Sequence, residues 1–219
     1  MTAIKIIKNS PEKLLAGLLA AGYLKTALII EAFRRIDRRH FVPEGIKHLA
    51  YINEALPIGF GQTISQPLTV AFMLERLEPR PGEKILDIGT GSGWKAALLS
   101  FIVGGRGRVV SIERIPELYE MARKNIASYN FPAKGATQLI LGDGSQGYAP
   151  EAPYDKIISG AAAEAIPEAW KKQLKIGGRL LAPLAVNKLV ELNKLTVTEF
   201  RQKEYPGFVF VPLISGLAD

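Results

Sequence analysis

Cysteine is absent from the sequence, and histidine occurs only twice, as His40 and His48. A chain without cysteine cannot form a disulfide, a thiolate metal site or a thiol nucleophile. Two histidines leave little room for a histidine-based zinc centre or for extensive histidine acid–base catalysis. We therefore expect no metal site and no chemistry that depends on a catalytic thiol.

Long apolar runs are missing as well. The longest nearly apolar stretch, residues 96–103, is too short to cross a bilayer. The N-terminal segment MTAIKIIKNSPEK carries charges where a signal peptide needs apolar residues. We therefore expect a soluble, cytoplasmic protein with no membrane partner.

The sequence also lacks a dense run of one charge sign. It has 28 Lys and Arg against 21 Asp and Glu, a formal net charge of +7. A basic balance can indicate a nucleic acid, a membrane surface or an acidic substrate. The densest basic cluster, residues 34–39, contains Asp37. We interpret the charge as a solvated surface and expect no nucleic-acid partner.

The composition is that of a globular protein, with 47% hydrophobic and 22% charged residues, which excludes disorder, collagen and coiled coil as the overall class. Residues 12–34 have helical spacing with a break at Gly22. Residues 40–67 are rich in proline and glycine and predict an ordered loop, and residues 68–78 return to helical spacing. We expect residues 1–79 to form a helical and loop extension.

From Lys84 onward, predicted strands alternate with predicted helices. The strands are KILDIG, RVVSIE, TQLILGD, YDKIISG and RLLAPL, and the helices are WKAALLSFIV, PELYEMARKNIASY and a segment from Ile166 to Leu174. Such alternation predicts an α/β fold with a mostly parallel sheet and helices on both faces. The segments LVELNKLTVTEF and GFVFVPLI predict an antiparallel pair of terminal strands. We expect residues 80–219 to form this domain, with the extension packed on it as one structural unit.

The segment LDIGTGSGW lies at the junction of a strand and a helix, where open parallel sheets bind ligands. Gly89, Gly91 and Gly93 permit close approach of a ligand to the loop that also contains Thr90. The spacing is G-x-G-x-G rather than the G-x-G-x-x-G of dinucleotide-binding loops. Asp87 adds an anion that suits a positively charged sulfonium amino acid and would repel a pyrophosphate. We predict that these five residues bind a cofactor.

Two further acids end the next two strands. Glu113 can accept hydrogen bonds from both hydroxyls of a ribose, and Asp143, in the GDG sequence completed by Gly144, can face an adenine amino group. Each residue alone is more often a turn or helix-start residue. Their joint placement at successive strand ends predicts an adenosine-containing ligand. The glycine spacing and Asp87 favour S-adenosylmethionine over NAD.

A second motif, ALPIGFGQTISQP at residues 55–67, precedes the cofactor loop. A loop of this composition usually caps a core. Its hydroxyls and amides, from Gln62, Thr63, Ser65 and Gln66, nevertheless come together without any charge. Such groups bind carboxylates and peptide backbone through hydrogen bonds.

The chain resembles the protein-L-isoaspartate O-methyltransferase family over residues 12–215. The resemblance rests on LPIGFGQTISQP, LDIGTGSGW, SIERIPEL, GDGSQGY, PYDKIISGAAAEAIP and QLKIGGRL, in this order and spacing. The glycine loop is common to most S-adenosylmethionine methyltransferases, whereas GQTISQP is much more specific. Three sites depart from the usual pattern. Trp94 replaces a tyrosine, Leu68 stands where an aromatic residue or histidine is common, and the turn in LAPLAVNKLVEL, after Pro183, lacks the usual glycine and glutamine.

The resemblance implies methylation of the α-carboxylate of L-isoaspartyl residues in damaged proteins, followed by closure of the ester to a succinimide that can reopen to aspartate. It implies that Ser65 is the active-site serine and that Gln62, Thr63 and Ile64 bind substrate beside it. Gly89, Gly91, Glu113 and Asp143 fall on the family's cofactor positions. A carboxyl group with a pKa of about 3.9 is already ionised at neutral pH, so the reaction needs no general base.

Two other functions remain open from the sequence. The first is an S-adenosylmethionine-dependent methyltransferase acting on RNA or a small molecule, which the net charge supports weakly. However, IISGAAAEAIP occupies the place where enzymes that methylate base nitrogens often carry an Asn/Asp-Pro-Pro-aromatic loop. The second is a non-catalytic binding protein, against which the intact glycine loop argues. We expect a monomer.

Overall fold

The computed structural model describes residues 9–131 and 135–218. Within them lie the helices α1 (Pro11–Ala20), α2 (Ala27–Arg35), α3 (Pro67–Leu77), α4 (Trp94–Val103), α5 (Pro116–Ala127) and α6 (Glu168–Gln173). The strands are β1 (Leu56–Gly59), β2 (Gln62–Ile64), β3 (Lys84–Ile88), β4 (Arg108–Glu113), β5 (Thr137–Leu141), β6 (Tyr154–Ser159), β7 (Leu174–Leu184), β8 (Lys188–Lys194) and β9 (Phe200–Pro206). Residues 1–8, which make up most of the N-terminal segment used for the expectation about a signal peptide, lie outside the described residues.

The seven strands β3 to β9 form one sheet in the order β5-β4-β3-β6-β7-β8-β9. The first five in that order run parallel, and β8 and β9 add to β7 as an antiparallel meander. The strand order reverses at β3, which pairs with β4 on one side and β6 on the other. This arrangement confirms the predicted α/β fold and creates a switch point, where such sheets bind ligands.

Each face of the sheet is covered by its own apolar core, because side chains alternate along a buried parallel strand. Ile85 and Val109 pack beneath helices α1 to α5, while Leu86 and Val110 pack with Trp170 of α6 on the opposite face. Helix α4 is buried on nearly every side because it lies between the sheet and α2. The nearly uniform apolar sequence of α4 is typical of such a sandwiched helix.

The N-terminal region contains two helices, as the spacing of residues 12–34 predicts. The Ser10 side chain caps α1 by accepting from the Lys13 backbone N–H, and Pro11 occupies the first turn. The region predicted as an ordered loop contains regular secondary structure. It includes two short 3₁₀ helices, Arg38–Phe41 and Glu44–Leu49, and the β1–β2 hairpin. The described part of the extension shares one apolar core with α4 and the sheet. The division at residue 79 stays a prediction.

The predicted C-terminal strands differ from the structure. The pairing partner of β8 is Phe200–Pro206, and residues 195–199 turn between them through the hydrogen bond from Leu195 N to Glu199 O, 2.9 Å long. The segment predicted as the last strand, GFVFVPLI, makes only an isolated bridge, between Pro212 and Ala162. Because β9 already forms the sheet edge, the apolar residues after it cross the ends of other strands. We call residues 208–218 the C-terminal strap.

No helix within the described ranges combines the length and the apolarity needed to cross a membrane.

Candidate active site at the carboxyl edge of the sheet

An open cavity, about 880 Å³ including the solvent-filled space at its mouth, lies at the switch point of the sheet, at the carboxyl ends of β3, β4, β5 and β6. Its walls come from four regions: the β1–β2 hairpin, the glycine loop, the strand ends and the C-terminal strap. The lining residues that the sequence predicts are Gln62, Thr63, Ile64, Ser65, Gly89, Thr90, Gly91, Glu113 and Gly144. The fold therefore brings the two sequence motifs to one place.

The glycine loop turns sharply from β3 into α4. Gly93, the residue before α4, has a φ of 98°, and a Cβ there would lie 3.0 Å from the Ile126 side chain. A Cβ on Gly144 would lie 2.7 Å from Ile88. Glycine at these two positions lets α5 and the loop after β5 pack against the edge of the sheet. Gly93 therefore shapes the loop from behind rather than lining the cavity.

Glu113 ends β4 with its carboxylate in the cavity wall and only 6% of the residue exposed. One oxygen accepts from the Gly91 backbone N–H at 2.8 Å, and the other accepts from those of Arg114 and Ile115 at 2.9 and 3.0 Å. Burial raises the pKa of the Glu113 carboxyl, although these hydrogen bonds partly oppose the rise. Further donors to this carboxylate, such as ribose hydroxyls, would favour its charged form.

Asp143 is held by backbone groups next to the cavity. Its carboxylate accepts from the N–H groups of Ser145 and Gly216, both at 2.8 Å. Burial raises the pKa of Asp143, but these hydrogen bonds outweigh that effect and leave the pKa lowered. The carboxylate thus joins the loop after β5 to the C-terminal strap. Its contact with an adenine amino group stays a prediction.

Asp87 differs most from the sequence expectation, which treats it as an anion free to face a sulfonium. It is fully buried and forms an ion pair with Lys95. Ser111 Oγ donates to the other Asp87 oxygen at 2.9 Å and therefore accepts from Thr90, 2.7 Å away. Asp87 orients these three side chains, and of the four residues Lys95 and Thr90 line the cavity. Sequence reasoning missed Lys95, although it is the only charged residue in the otherwise apolar run of α4.

Ser65 follows β2 and faces the cavity opposite the glycine loop. Within the described ranges its hydroxyl forms no hydrogen bond, whereas its carbonyl accepts from Arg38 at 3.1 Å. The backbone is further fixed at Gln66, whose side chain donates to the Asn53 carbonyl at 2.8 Å and whose successor, Pro67, starts α3. The hydroxyl is therefore presented on a fixed backbone and remains available to a ligand.

The C-terminal strap forms part of the cavity wall, although the sequence predicted most of this segment to be a strand of the sheet. Residues 211–214 line the cavity. Val211 and Leu213 bond to Ala162 backbone groups at 2.8 and 2.7 Å, and Arg114 Nε donates to the Gly216 carbonyl at 2.9 Å. The strap thereby lies across the ends of β4, β5 and β6. The signal available in the sequence was the apolar segment GFVFVPLI itself, which indicates a half-buried segment but not the elements that it contacts.

Comparison with protein families gives one match that covers nearly the whole chain. A family described as protein-L-isoaspartate(D-aspartate) O-methyltransferase matches residues 9–218. The matched region includes both motifs that line the cavity.

Individual relatives carry the same description. The protein-L-isoaspartate O-methyltransferase of Methanopyrus kandleri is 41% identical over 213 residues, which is 96% of this chain and 93% of the relative. That of Ignicoccus hospitalis is 47% identical over 178 residues, 81% of this chain and 83% of the relative.

Solved structures show the same fold. A Plasmodium falciparum protein described as a protein-L-isoaspartate O-methyltransferase, solved with S-adenosyl-L-homocysteine, has a TM-score of 0.85 at 24% identity and covers 94% of this chain and 99% of its own. A second protein-L-isoaspartate O-methyltransferase has a TM-score of 0.81 at 27% identity, covering 95% of this chain and 67% of its own.

Proposed function

The chain belongs to the protein-L-isoaspartate(D-aspartate) O-methyltransferase family, and we propose that the switch-point cavity is its active site, with Ser65 holding the substrate carboxylate. The protein is a methyltransferase that uses S-adenosylmethionine and acts on L-isoaspartyl residues of proteins. The observation that carries the site assignment is the position of the Ser65 hydroxyl, which lines the same cavity as the glycine loop and Glu113.

The residues of the cavity fit the cofactor. Glu113 presents a buried carboxylate for ribose hydroxyls, and Leu118 and Ile115 provide apolar contact beside it. Ser92 Oγ is buried without a hydrogen-bond partner among the described residues, and Ser92 lines the cavity. A buried hydroxyl with no partner costs free energy that a polar ligand atom would recover. When bound, S-adenosylmethionine would supply a sulfonium methyl group. The substrate carboxylate oxygen would bond to the methyl carbon as the bond from that carbon to sulfur breaks, with S-adenosylhomocysteine as the leaving group and no proton transfer.

The protein's task in this reaction is alignment. A carboxylic acid with an ordinary pKa of about 4 is ionised at neutral pH, so no residue has to remove a proton. Neither histidine lines the cavity. The neutral Ser65 hydroxyl can donate to one carboxylate oxygen and leave the other free to attack. Positioning of this kind contributes most of the rate when the chemistry itself is simple.

The methyl ester formed in this way can close to a succinimide and reopen to aspartate, which is the repair outcome that we propose. The remaining expectations belong to the same proposal: a monomeric enzyme in the cytoplasm, without nucleic-acid or membrane partners, whose residues 1–79 act as an extension of the α/β domain. The exposed charges on edge strand β9, from Arg201, Lys203 and Glu204, support the monomer, since charged edges disfavour sheet-to-sheet pairing. Size-exclusion chromatography with light scattering tests it.

The experiment that tests the site is Ser65→Ala. We expect turnover on an isoaspartyl peptide to fall by roughly 100-fold or more, the scale associated with losing alignment of a reactant. Affinity for S-adenosylhomocysteine, measured by calorimetry, should change by less than about threefold because the glycine loop is untouched. The matched control is Ser128→Ala, on the exposed end of α5, which should leave both values unchanged.

Two outcomes would contradict the site assignment. Near-normal turnover of folded Ser65→Ala would remove Ser65 from catalysis, and lost cofactor affinity would place it on the cofactor side. Parallel methyl-transfer assays on RNA and on an aspartyl peptide of the same sequence establish whether the isoaspartyl group is what the enzyme selects.

A further inference from the structure

Lys95 is a buried cation in the wall of the active-site cavity, and the methyl-transfer mechanism does not use it. Only 9% of the residue is exposed. Besides its ion pair with Asp87, the ammonium lies 3.4 Å from the Ile88 carbonyl. A Cβ on Gly160, at the end of β6, would lie 3.3 Å from the ammonium nitrogen. The cation thus occupies the β3–β6 side of the switch point.

The position is an unfavourable one for a lysine whose role is only structural. Lys95 belongs to the first turn of α4, where the helix dipole is positive and disfavours a cation. Burial of an ion pair costs desolvation that the pair's attraction often fails to recover. The remaining residues of α4 are apolar or small. A ligand group in the cavity that accepts a hydrogen bond from the ammonium, in addition to Asp87, would offset these costs.

The layout of the cavity indicates which part of the ligand lies there. Glu113 marks the ribose position at the end of β4, on one side of β3. Lys95 lies on the opposite side of β3, toward β6. The predicted adenine position, at Gly144 after β5, lies beyond Glu113 on the side away from β3. A cofactor with its ribose on Glu113 and its adenine there extends its amino-acid part toward Lys95. The other basic residue that lines the cavity, Arg114, lies on the ribose side and is bound to the strap through Gly216.

We propose that Lys95 binds the α-carboxylate of the methionyl part of S-adenosylmethionine, with Asp87 holding the ammonium in place from behind. The proposal rests on the cofactor site assigned above. The methionyl part is a zwitterion, and the ammonium offers its carboxylate a charge-assisted hydrogen bond of the stronger kind. Asp87 makes no direct contact with the ligand in this arrangement, since it is fully buried behind Lys95.

The test compares two ligands that differ only in the amino-acid part. S-adenosylhomocysteine carries it, and 5′-methylthioadenosine has the same nucleoside and thioether without it. Calorimetry on Lys95→Met should show affinity for S-adenosylhomocysteine reduced by about 10- to 100-fold, the usual effect of losing a charged hydrogen bond. Affinity for 5′-methylthioadenosine should change by less than about threefold. Lys95→Arg should restore part of the loss.

Two controls separate this effect from damage to the fold. Lys156→Met removes another buried lysine of the same sheet, paired with Glu83 at the opposite edge, and should leave both affinities unchanged. The double variant Lys95→Met/Asp87→Asn removes the uncompensated buried charge that Lys95→Met leaves behind. It should retain 5′-methylthioadenosine binding and remain weak toward S-adenosylhomocysteine.

Several results would overturn the proposal. Equal losses for both ligands would mean that Lys95 only supports the glycine loop. Unchanged affinity for S-adenosylhomocysteine with a raised KM for the isoaspartyl peptide would mean that Lys95 binds the substrate's carboxylate instead. If the unmodified protein bound neither ligand, the proposed cofactor site itself would be wrong.

Discussion

At the residue scale, Arg38 is a buried guanidinium that holds the backbone around Ser65, where we propose that the substrate carboxylate binds. Only 2% of the residue is exposed, and it donates to the carbonyls of Ala50, Glu54 and Ser65 at 2.6, 2.9 and 3.1 Å. Burial lowers the pKa of Arg38 to about 10, which leaves it charged at neutral pH. Its guanidinium carbon lies 5.3 Å from the centroid of the Trp94 ring. Arg38 therefore contacts both the Ser65 backbone and Trp94, the first residue of α4.

We predict that Arg38→Lys lowers turnover about 10-fold or more and leaves affinity for S-adenosylhomocysteine within about threefold. A lysine has one donor centre and cannot reach three carbonyls with the geometry of a planar guanidinium. The Ser65 backbone would then lose its fixed position, while the glycine loop stays intact. Steady-state kinetics on an isoaspartyl peptide and calorimetry measure the two quantities. Arg123→Lys, on the exposed face of α5, is the control, and unchanged turnover of Arg38→Lys would contradict the prediction.

The raised pKa of Glu113 predicts how cofactor affinity depends on pH. Burial raises the pKa of its carboxyl in the free protein, and ribose hydroxyls would donate to the charged form. The ligand-bound state therefore binds fewer protons than the free state, so affinity should fall as the pH drops through the raised pKa. We expect affinity for S-adenosylhomocysteine over roughly pH 5 to 8 to be highest at the neutral end.

The variant Glu113→Gln isolates this effect. At neutral pH it should bind S-adenosylhomocysteine about 10- to 100-fold more weakly, because a charged acceptor is replaced by a neutral one. Its affinity should also lose the acid dependence. A variant that keeps the pH profile of the unmodified protein would show that another group titrates.

At the element scale, the C-terminal strap closes the cavity without belonging to the sheet. Its hydrogen bonds reach Ala162 after β6, Asp143 after β5 and Arg114 after β4. The bond from Ala218 N to the Arg114 carbonyl, 3.0 Å long, is the last of these along the chain. The hydrogen-bonded sheet ends earlier, at Pro206. The strap therefore closes the cavity from outside the sheet, while its residues Phe208 and Phe210 pack against the core that α1 to α5 cover.

We predict that truncation after Ile214 weakens S-adenosylhomocysteine binding by about 10-fold, mainly through faster dissociation. The truncation removes Gly216 and with it the contacts to Asp143 and Arg114, while residues 211–214 remain in the cavity wall. The far-ultraviolet circular dichroism should not change. Stopped-flow displacement measures the dissociation rate. Val209→Ser, at an exposed strap position, serves as the control, and an unchanged dissociation rate after truncation would contradict the role given to the strap.

At the scale of the whole molecule, one sheet joins two apolar cores. Trp94 reports on the core that α1 to α5 cover, and it packs edge-on against Phe33 of the extension at 5.5 Å. Trp170 reports on the opposite core and donates to the Gly144 carbonyl at 2.9 Å. The sequence has no other tryptophan. Each core can therefore be followed separately by fluorescence.

We predict that both cores unfold in a single cooperative transition, since the strands of one sheet contribute side chains to each. In urea, the fluorescence and circular dichroism midpoints of Trp170→Phe should coincide, and so should those of Trp94→Phe. The comparison is made within each variant, so the stability cost of the substitution does not matter. Separate midpoints in Trp170→Phe would mean that the extension and the α/β domain unfold independently.

The sequence by itself determined the central fold and predicted the chemistry of the two loops. Apolar strands alternating with helices predicted the parallel sheet, because strands buried on both faces need continuous apolar residues. The glycine spacing in residues 89–93 and the acid at Glu113 predicted the cofactor end. The GQTISQP segment indicated the family. These signals are local, since each depends on residues close together along the chain.

Only the tertiary structure decided which side chains meet. The Asp87–Lys95 pair spans only eight residues, but it forms because the turn of the glycine loop brings α4 back over the end of β3. Arg38 is 27 residues from Ser65, and Asp143 is 73 residues from Gly216. No local periodicity encodes contacts between such distant positions. The apolar segment GFVFVPLI, residues 207–214, was predicted to be a strand of the sheet, and this prediction was wrong. A sequence pattern shows that a segment is extended and half-buried, whereas packing decides whether it pairs within the sheet or crosses its edge.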